Sequence, residues 1–245
     1  MKEVIITKLI KLFPRIFFNI FRKLYRKKLT YNLLNIISKG VNIQNVYDVG
    51  AHKGLWSKSL KDHCLKNSNF FLFEANLDHE RDLRKIGSPY FINLLSDSIK
   101  EVKFYNNNNT GDSYFIENTN EYEEKNFVKK TTTTLDITSK KENLPFQDLL
   151  KIDTQGSELD ILKGAKETIK NCLLIYLECP IIDYNKNSPS LTEYINYLNL
   201  IGYIPTDICE VHRIDEVLIQ IDILFIKKSE FNKINSKDKI LNIFS

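Results

Sequence analysis

The chain has 245 residues, 42% of them hydrophobic and 27% charged, an ordinary globular composition with room for one large domain. Its net charge of +4 is unevenly spread: residues 1–30 hold nine Lys or Arg and one Glu, while the other 215 hold 26 basic and 30 acidic groups. A mildly acidic body excludes a nucleic-acid surface there, and four scattered cysteines (Cys64, Cys172, Cys179, Cys209) without a C-x-x-C pair read as packing thiols in the reducing cytoplasm.

Ile5, Leu9, Leu12/Phe13, Ile16, Ile20 and Leu24 recur at helical spacing, with Lys8, Lys11, Arg15, Arg22 and Arg26 largely on other faces. Pro14 predicts a kink or two helical pieces. Ile16 to Phe21 is the longest run without a charge, far below the ~20 residues needed to cross a bilayer, and the interrupting basic residues argue against a signal peptide. Such a helix suits the surface of an anionic membrane at the inner face, through residues 1–28, or packing on the body or a second subunit. No feature specifies the oligomeric state.

Thr30 caps a short helix through Leu33, Leu34, Ile36 and Ile37, which Gly40 stops. Strand and helix patterns then alternate. Val46–Val49 is a strand and Trp56–Leu65 a helix; Phe70–Glu74 is a strand, Leu77–Ile86 a helix and Tyr90–Leu95 a strand. Val102–Tyr105 and Ser113–Ile116 flank the turn-rich 106–111 as in a hairpin, followed by a polar loop over 121–126 and an extended run from Thr131 to Leu135. Strand Leu149–Asp153, a helix from Ser157, strand Leu173–Leu177, helix Leu191–Ile201 and strands Tyr203–Ile208 and Leu218–Ile226 complete the body. Apolar strands alternating with helices predict a mostly parallel sheet covered on both faces. The expected organisation is an appendage over 1–40, one domain over 41–228 and a tail over 229–245.

The chemistry lies at strand ends, where ligands sit in open α/β sheets. Asp48 opens the turn Asp48-Val49-Gly50-Ala51-His52-Lys53-Gly54, whose glycines permit close backbone approach. Its spacing differs from the dinucleotide fingerprint, which disfavours an oxidoreductase, and no P-loop lysine follows. Glu74 closes an apolar strand about twenty residues later, suited to both hydroxyls of a ribose. Ser96-Asp97 follow the third strand, where they could meet an adenine amino group, and Asp153 ends the fourth. Four acidic strand ends on one edge suit a ribose, an exocyclic amine and a cationic centre and would repel pyrophosphate. S-adenosylmethionine meets that demand better than a dinucleotide.

The series resembles a class I S-adenosylmethionine-dependent methyltransferase, and in detail the FkbM family. That family pairs D-V-G-A-N-x-G with L-K-I-D-x-E-G-x-E-x-x-V-L-x-G-A. Here stand Asp48 to Gly54, and Leu150-Lys151-Ile152-Asp153-Thr154-Gln155-Gly156-Ser157-Glu158 running to Ile161-Leu162-Lys163-Gly164-Ala165. Thr134-Leu135-Asp136 and Gln220 to Phe225 resemble the family's T-L-D step and closing strand. His52 replaces a common Asn, and Gln155 a common Glu, which removes one carboxylate from the turn.

The resemblance implies a Rossmann-like seven-stranded sheet, mostly parallel with an antiparallel last strand. It further implies O-methylation of a sugar, glycan or other hydroxylated metabolite. The expected cofactor contacts are Asp48, Gly50, Ala51, Gly54, Glu74, Ser96, Asp97 and Asp153. Asp153 and Glu178 lead as catalytic groups, with His52 and His212 behind them. Glu158 and Asp160 are expected only to place negative charge in a first helical turn behind a Ser157 cap. His63 and His79 read as surface residues, and no His/Cys/carboxylate spacing resembles a zinc site. Methylation of nucleic-acid amines is disfavoured, since no Asn/Asp-Pro-Pro-aromatic motif is present. The competing class is a non-catalytic, membrane-peripheral binding module of the same fold.

Overall fold

The computed structural model describes residues 12–13, 28–105, 112–116, 127–182 and 185–235. Residues 1–11 and 14–27 of the basic start, Pro14 included, the 106–111 turn, the 121–126 loop and the last ten residues lie outside the described residues. Among those described, no helix is long and apolar enough to cross a membrane.

Nine strands and seven α-helices are described. A seven-stranded sheet runs β3 (Tyr90–Ile92), β2 (Asn69–Glu74), β1 (Asn45–Val49), β6 (Leu149–Ile152), β7 (Leu174–Pro180), β9 (Val217–Lys227), β8 (Tyr203–Ile214). Neighbours are parallel except at β9, which runs antiparallel to both β7 and β8. The last strand in sequence is therefore the reversed one, inserted between two earlier ones.

Strand periodicity divides the core into two layers. Val46, Phe70, Leu72, Leu149, Leu174 and Tyr176 face one side, under α1 (Lys28–Ser38), α2 (Leu55–His63) and α3 (Glu80–Ile86). Tyr47, Phe73, Leu150, Ile152, Ile175 and Leu177 face the other. There they meet α4 (Leu135–Lys141), α5 (Glu158–Lys163) and α6 (Leu191–Leu200). Burial on both faces explains why these strands read as apolar runs rather than alternations. α7 (Lys228–Asn235) follows β9 where only a polar tail was expected.

Three expectations are corrected. Glu101–Tyr105 (β4) pairs over its full length with Phe127–Thr131 (β5), whereas Ser113 makes only a single bridge to Tyr105. Segment 112–116 turns inward instead, because Tyr114 Oη donates to Asp160 and Asp112 accepts from Asn76. The extended run from Thr131 ends at Thr134, whose hydroxyl accepts from the Ile137 amide and caps α4. The third strand stops at Ile92, and Leu95 retains only a bridge to Thr133.

Candidate active site

The turn after β1 is shaped by what its backbone must touch. The Gly50 and Ala51 amides both donate to the Phe73 carbonyl, each at 3.0 Å, which ties the ends of β1 and β2. Gly50 has φ +72°, and a Cβ there would lie 1.8 Å from the Asp153 carbonyl oxygen. Only glycine lets the β1 turn and the β6 end meet this closely. At the mouth of the turn, Glu74 accepts from the His52 amide at 2.6 Å and the Asn76 amide at 2.8 Å. Burial nevertheless pushes its carboxyl above the ordinary glutamate range. Glu74 lines the crevice that opens beside it, a cavity of about 780 Å³.

Asp48 sits elsewhere than the strand-end pattern implied. Its side chain is fully enclosed on the α1–α3 side of the sheet, where Ser57 Oγ donates to it at 2.6 Å. Across the β1–β6 register its neighbour is Lys151. That lysine is the residue sequence reasoning passed over. Its side chain is only 4% exposed, with Nζ 3.0 Å from Asp48, 3.4 Å from Asp153 and 2.8 Å from the Gly50 carbonyl. Burial works against its charge, yet Asp48 and Asp153 hold the ammonium above the ordinary lysine range. The available signal was a lysine inside Leu-Leu-Lys-Ile, a charge in an otherwise apolar strand.

The Asp153–Glu158 turn passes through left-handed backbone at Gln155 (φ +56°) and Gly156 (φ +106°). Ser157 makes no side-chain cap, contrary to expectation; its hydroxyl goes back to Thr154. Glu158 does the capping from inside. It accepts from the Thr154 amide at 2.8 Å, the Gly156 amide at 3.0 Å and Tyr194 Oη at 2.6 Å. Its role is thus wider than placing charge in a first turn, because it holds the loop that presents Asp153 and Gln155. Asp160 accepts from Tyr114, which fixes the 112–116 segment over the cavity.

Beyond Asp153 the crevice continues to Glu178, His212 and Gln220. Glu178 Oε2 accepts from Gln155 Nε2 at 2.6 Å and from Gln220 Nε2 at 3.2 Å. Burial, then the nearby Asp153 and Asp222, push its carboxyl well above the ordinary range. His212 Nε2 lies 3.0 Å from Asp222 Oδ1, and that hydrogen bond lifts the imidazole above its usual range against burial. Tyr176 Oη donates to the other Asp222 oxygen at 2.5 Å.

Of the expected cofactor contacts, Gly50, Glu74 and Asp153 line the crevice. Asp48, Ala51 and Gly54 lie behind the lining; Gly54 serves packing, since a Cβ there would meet Ile86 at 2.6 Å. Ser96 is buried against Tyr114, and Asp97 points away to Lys100 at 2.8 Å. With β3 ending at Ile92, Asn93, Leu94 and Leu95 form that wall instead. His79, expected on the surface, is buried at the crevice and stacks edge-on against His52 at 4.1 Å.

A family model described as "Methyltransferase FkbM domain" matches residues 48–205. No curated protein matches the chain. Among solved structures, a methyltransferase FkbM from Methylobacillus flagellatus KT is similar at 15% identity and a TM-score of 0.49, over 75% of this chain and 43% of that one. This chain therefore spans less than half of the Methylobacillus protein. Magnesium protoporphyrin IX methyltransferase from Synechocystis PCC 6803, with bound SAM, is 8% identical at a TM-score of 0.46, over 90% and 96% of the two chains. Aeropyrum pernix fibrillarin, in complex with S-adenosyl-L-methionine, is 11% identical at a TM-score of 0.45, over 78% and 74%.

Proposed function

The chain belongs to the FkbM methyltransferase family, and from that premise we propose that it uses S-adenosylmethionine to methylate a hydroxyl oxygen of a sugar, glycan or other hydroxylated metabolite. The observation that carries the reading is the crevice wall itself. A turn that tolerates no Cβ at Gly50, the buried carboxylate of Glu74 and the half-exposed carboxylate of Asp153 stand along one cavity. Glu74 would hold the ribose hydroxyls, and Asn93 to Leu95 would flank the adenine. When bound, the cofactor supplies an electrophilic methyl group on a sulfonium.

The chain's own residues supply position and a proton acceptor. Asp153 has a side chain 40% exposed and directed to the crevice, steadied by Lys151 at 3.4 Å. It would take the proton of an acceptor hydroxyl, a poor nucleophile that needs a base. Glu178, whose carboxyl is pushed up by burial, is suited to hydrogen-bonding the acceptor. Correct placement of reacting groups is worth up to ~7–11 kcal/mol of the barrier. Calorimetry on the full chain is expected to show one S-adenosylmethionine site. Glu74→Ala should weaken it by about 10–100-fold, as removing charged hydrogen bonds worth ~1.5–3 kcal/mol implies. Absence of binding by the folded wild type would overturn the reading; unchanged affinity in the variant would misplace the ribose.

The basic start supports peripheral contact with an anionic membrane surface at the inner face, since residues 1–30 carry eight net positive charges. Each basic group near such a surface is worth ~1 kcal/mol. Deleting residues 1–27 is expected to abolish flotation with phosphatidylserine liposomes at low salt. Equal flotation of the two proteins would refute this contact.

A further inference from the structure

One cluster on the crevice includes Glu178 but reaches beyond the part that the methyl-transfer reading gives it. Strands β7, β9 and β8 lie side by side, and their register sets Glu178 opposite Asp222 and His212 opposite Gln220. The ligating atoms of Glu178, His212 and Asp222 all lie within 4.8 Å of one another. We propose that these three side chains bind one divalent cation of the Mn²⁺ class at the acceptor end of the crevice. Its open positions would take hydroxyls of a polyhydroxylated acceptor, and this last clause alone rests on the function proposed above.

The donor set is the first argument. One imidazole nitrogen with two carboxylate oxygens is a mixed N/O set of the kind that Mn²⁺, Fe²⁺ and Zn²⁺ accept. Geometry is the second. Adjacent ligands on an octahedral ion with bonds of about 2.1 Å stand about 3.0 Å apart, and His212 Nε2 and Asp222 Oδ1 are 3.0 Å apart. A cation could enter between them with little side-chain movement.

Outer support is the third. Metal-binding groups are oriented by hydrogen bonds to their remaining atoms. Tyr176 Oη holds Asp222 through Oδ2 and leaves Oδ1 for an ion. Gln155 and Gln220 both donate to Glu178 Oε2, so Oε1 is the oxygen left without either amide. Charge is the fourth. Asp153, Glu178 and Asp222 converge, while Lys151 already answers Asp48 as well as Asp153. Two further carboxylates, the buried Asp222 and the partly buried Glu178, therefore share a single imidazole, a deficit that a dication would fill. The sequence carried no spacing signal because each ligand comes from a different strand.

The test uses the full chain stripped of metal by a chelator and titrated with Mn²⁺ alone. Calorimetry should find one site per chain, and pulsed EPR of the bound Mn²⁺ should show coupling to an imidazole nitrogen. His212→Leu and Asp222→Asn should each weaken binding by about tenfold or more, with folding checked by circular dichroism. The wild-type EPR signal keeps the test valid even if a variant does not fold. No binding up to about 1 mM Mn²⁺, a level that corresponds to about 4 kcal/mol, would overturn the proposal and leave His212–Asp222 as an ordinary hydrogen-bonded pair. Bound Mn²⁺ without nitrogen coupling would overturn it too. The two readings fail separately, since Mn²⁺ is titrated without S-adenosylmethionine and S-adenosylmethionine without Mn²⁺.

Discussion

Lys151→Met is expected to cost about 3–5 kcal/mol of stability, the usual loss when one partner of a buried ion pair is removed. The substitution keeps the length of the stem and takes away only the cation. Asp48 would then remain fully enclosed with Ser57 Oγ as its donor, and the Gly50 carbonyl would lose Nζ. A charge in that position has no access to water and no means of neutralisation other than taking a proton. Urea denaturation should show the midpoint falling while the slope holds, which marks a change in stability rather than in the unfolded state. Removing both charges together should cost much less. In a double-mutant cycle, Asp48→Leu with Lys151→Met is expected to recover most of the loss, with a coupling between the sites at least as large as the stability regained. An unshifted midpoint in the single variant would mean that the pair contributes nothing to holding β1 against β6.

That pair also shows where sequence reading stops. The alternation of apolar strands and helices was legible because each strand is buried on both faces, and the order of elements followed from it. The class I architecture and the reversal of the last strand came from the family resemblance. Glu74 and Asp153 were legible as strand-end carboxylates because β2 and β6 end where their apolar runs end. Asp48 fits the same pattern in one dimension but not in three. Strand residues alternate faces, and its parity sends it under the helices with Val46 rather than toward the crevice. Its partner lies on a strand distant in sequence, and only the parallel register joins them. Ser96 and Asp97 were misplaced for a different reason: the chain leaves the sheet at Ile92, so counting to an assumed strand end overshot the crevice. The residues of 112–116 favour a hairpin strand, whereas the Tyr114–Asp160 and Asn76–Asp112 hydrogen bonds pull the segment over the cavity. The Glu178–His212–Asp222 cluster had no one-dimensional form at all.

Glu158→Ala should be nearly as damaging as Lys151→Met, and its effect should reach the crevice directly. The carboxylate is 1% exposed and answers two buried backbone amides and one phenol. Alanine leaves the Thr154 and Gly156 amides facing no acceptor, at ~1–3 kcal/mol for each unsatisfied group. The turn they belong to already holds a non-glycine residue, Gln155, in left-handed backbone, at a cost of order 1–3 kcal/mol that the surrounding bonds must sustain. Released from Glu158, that turn has little left to keep Gln155 aimed at Glu178, and Asp153 retains only its contacts to Lys151 and the Val49 carbonyl. Hydrogen exchange at the Thr154 and Gly156 amides should therefore accelerate more than exchange in β6, and affinity for S-adenosylmethionine should fall with it. Tyr194→Phe provides the graded control: it removes one donor and leaves both amides satisfied, so about 1 kcal/mol should be lost and the loop should stay protected. If the alanine variant kept both amides protected, the turn would be held by its own backbone and by Ser157, and Glu158 would be a bystander to the site.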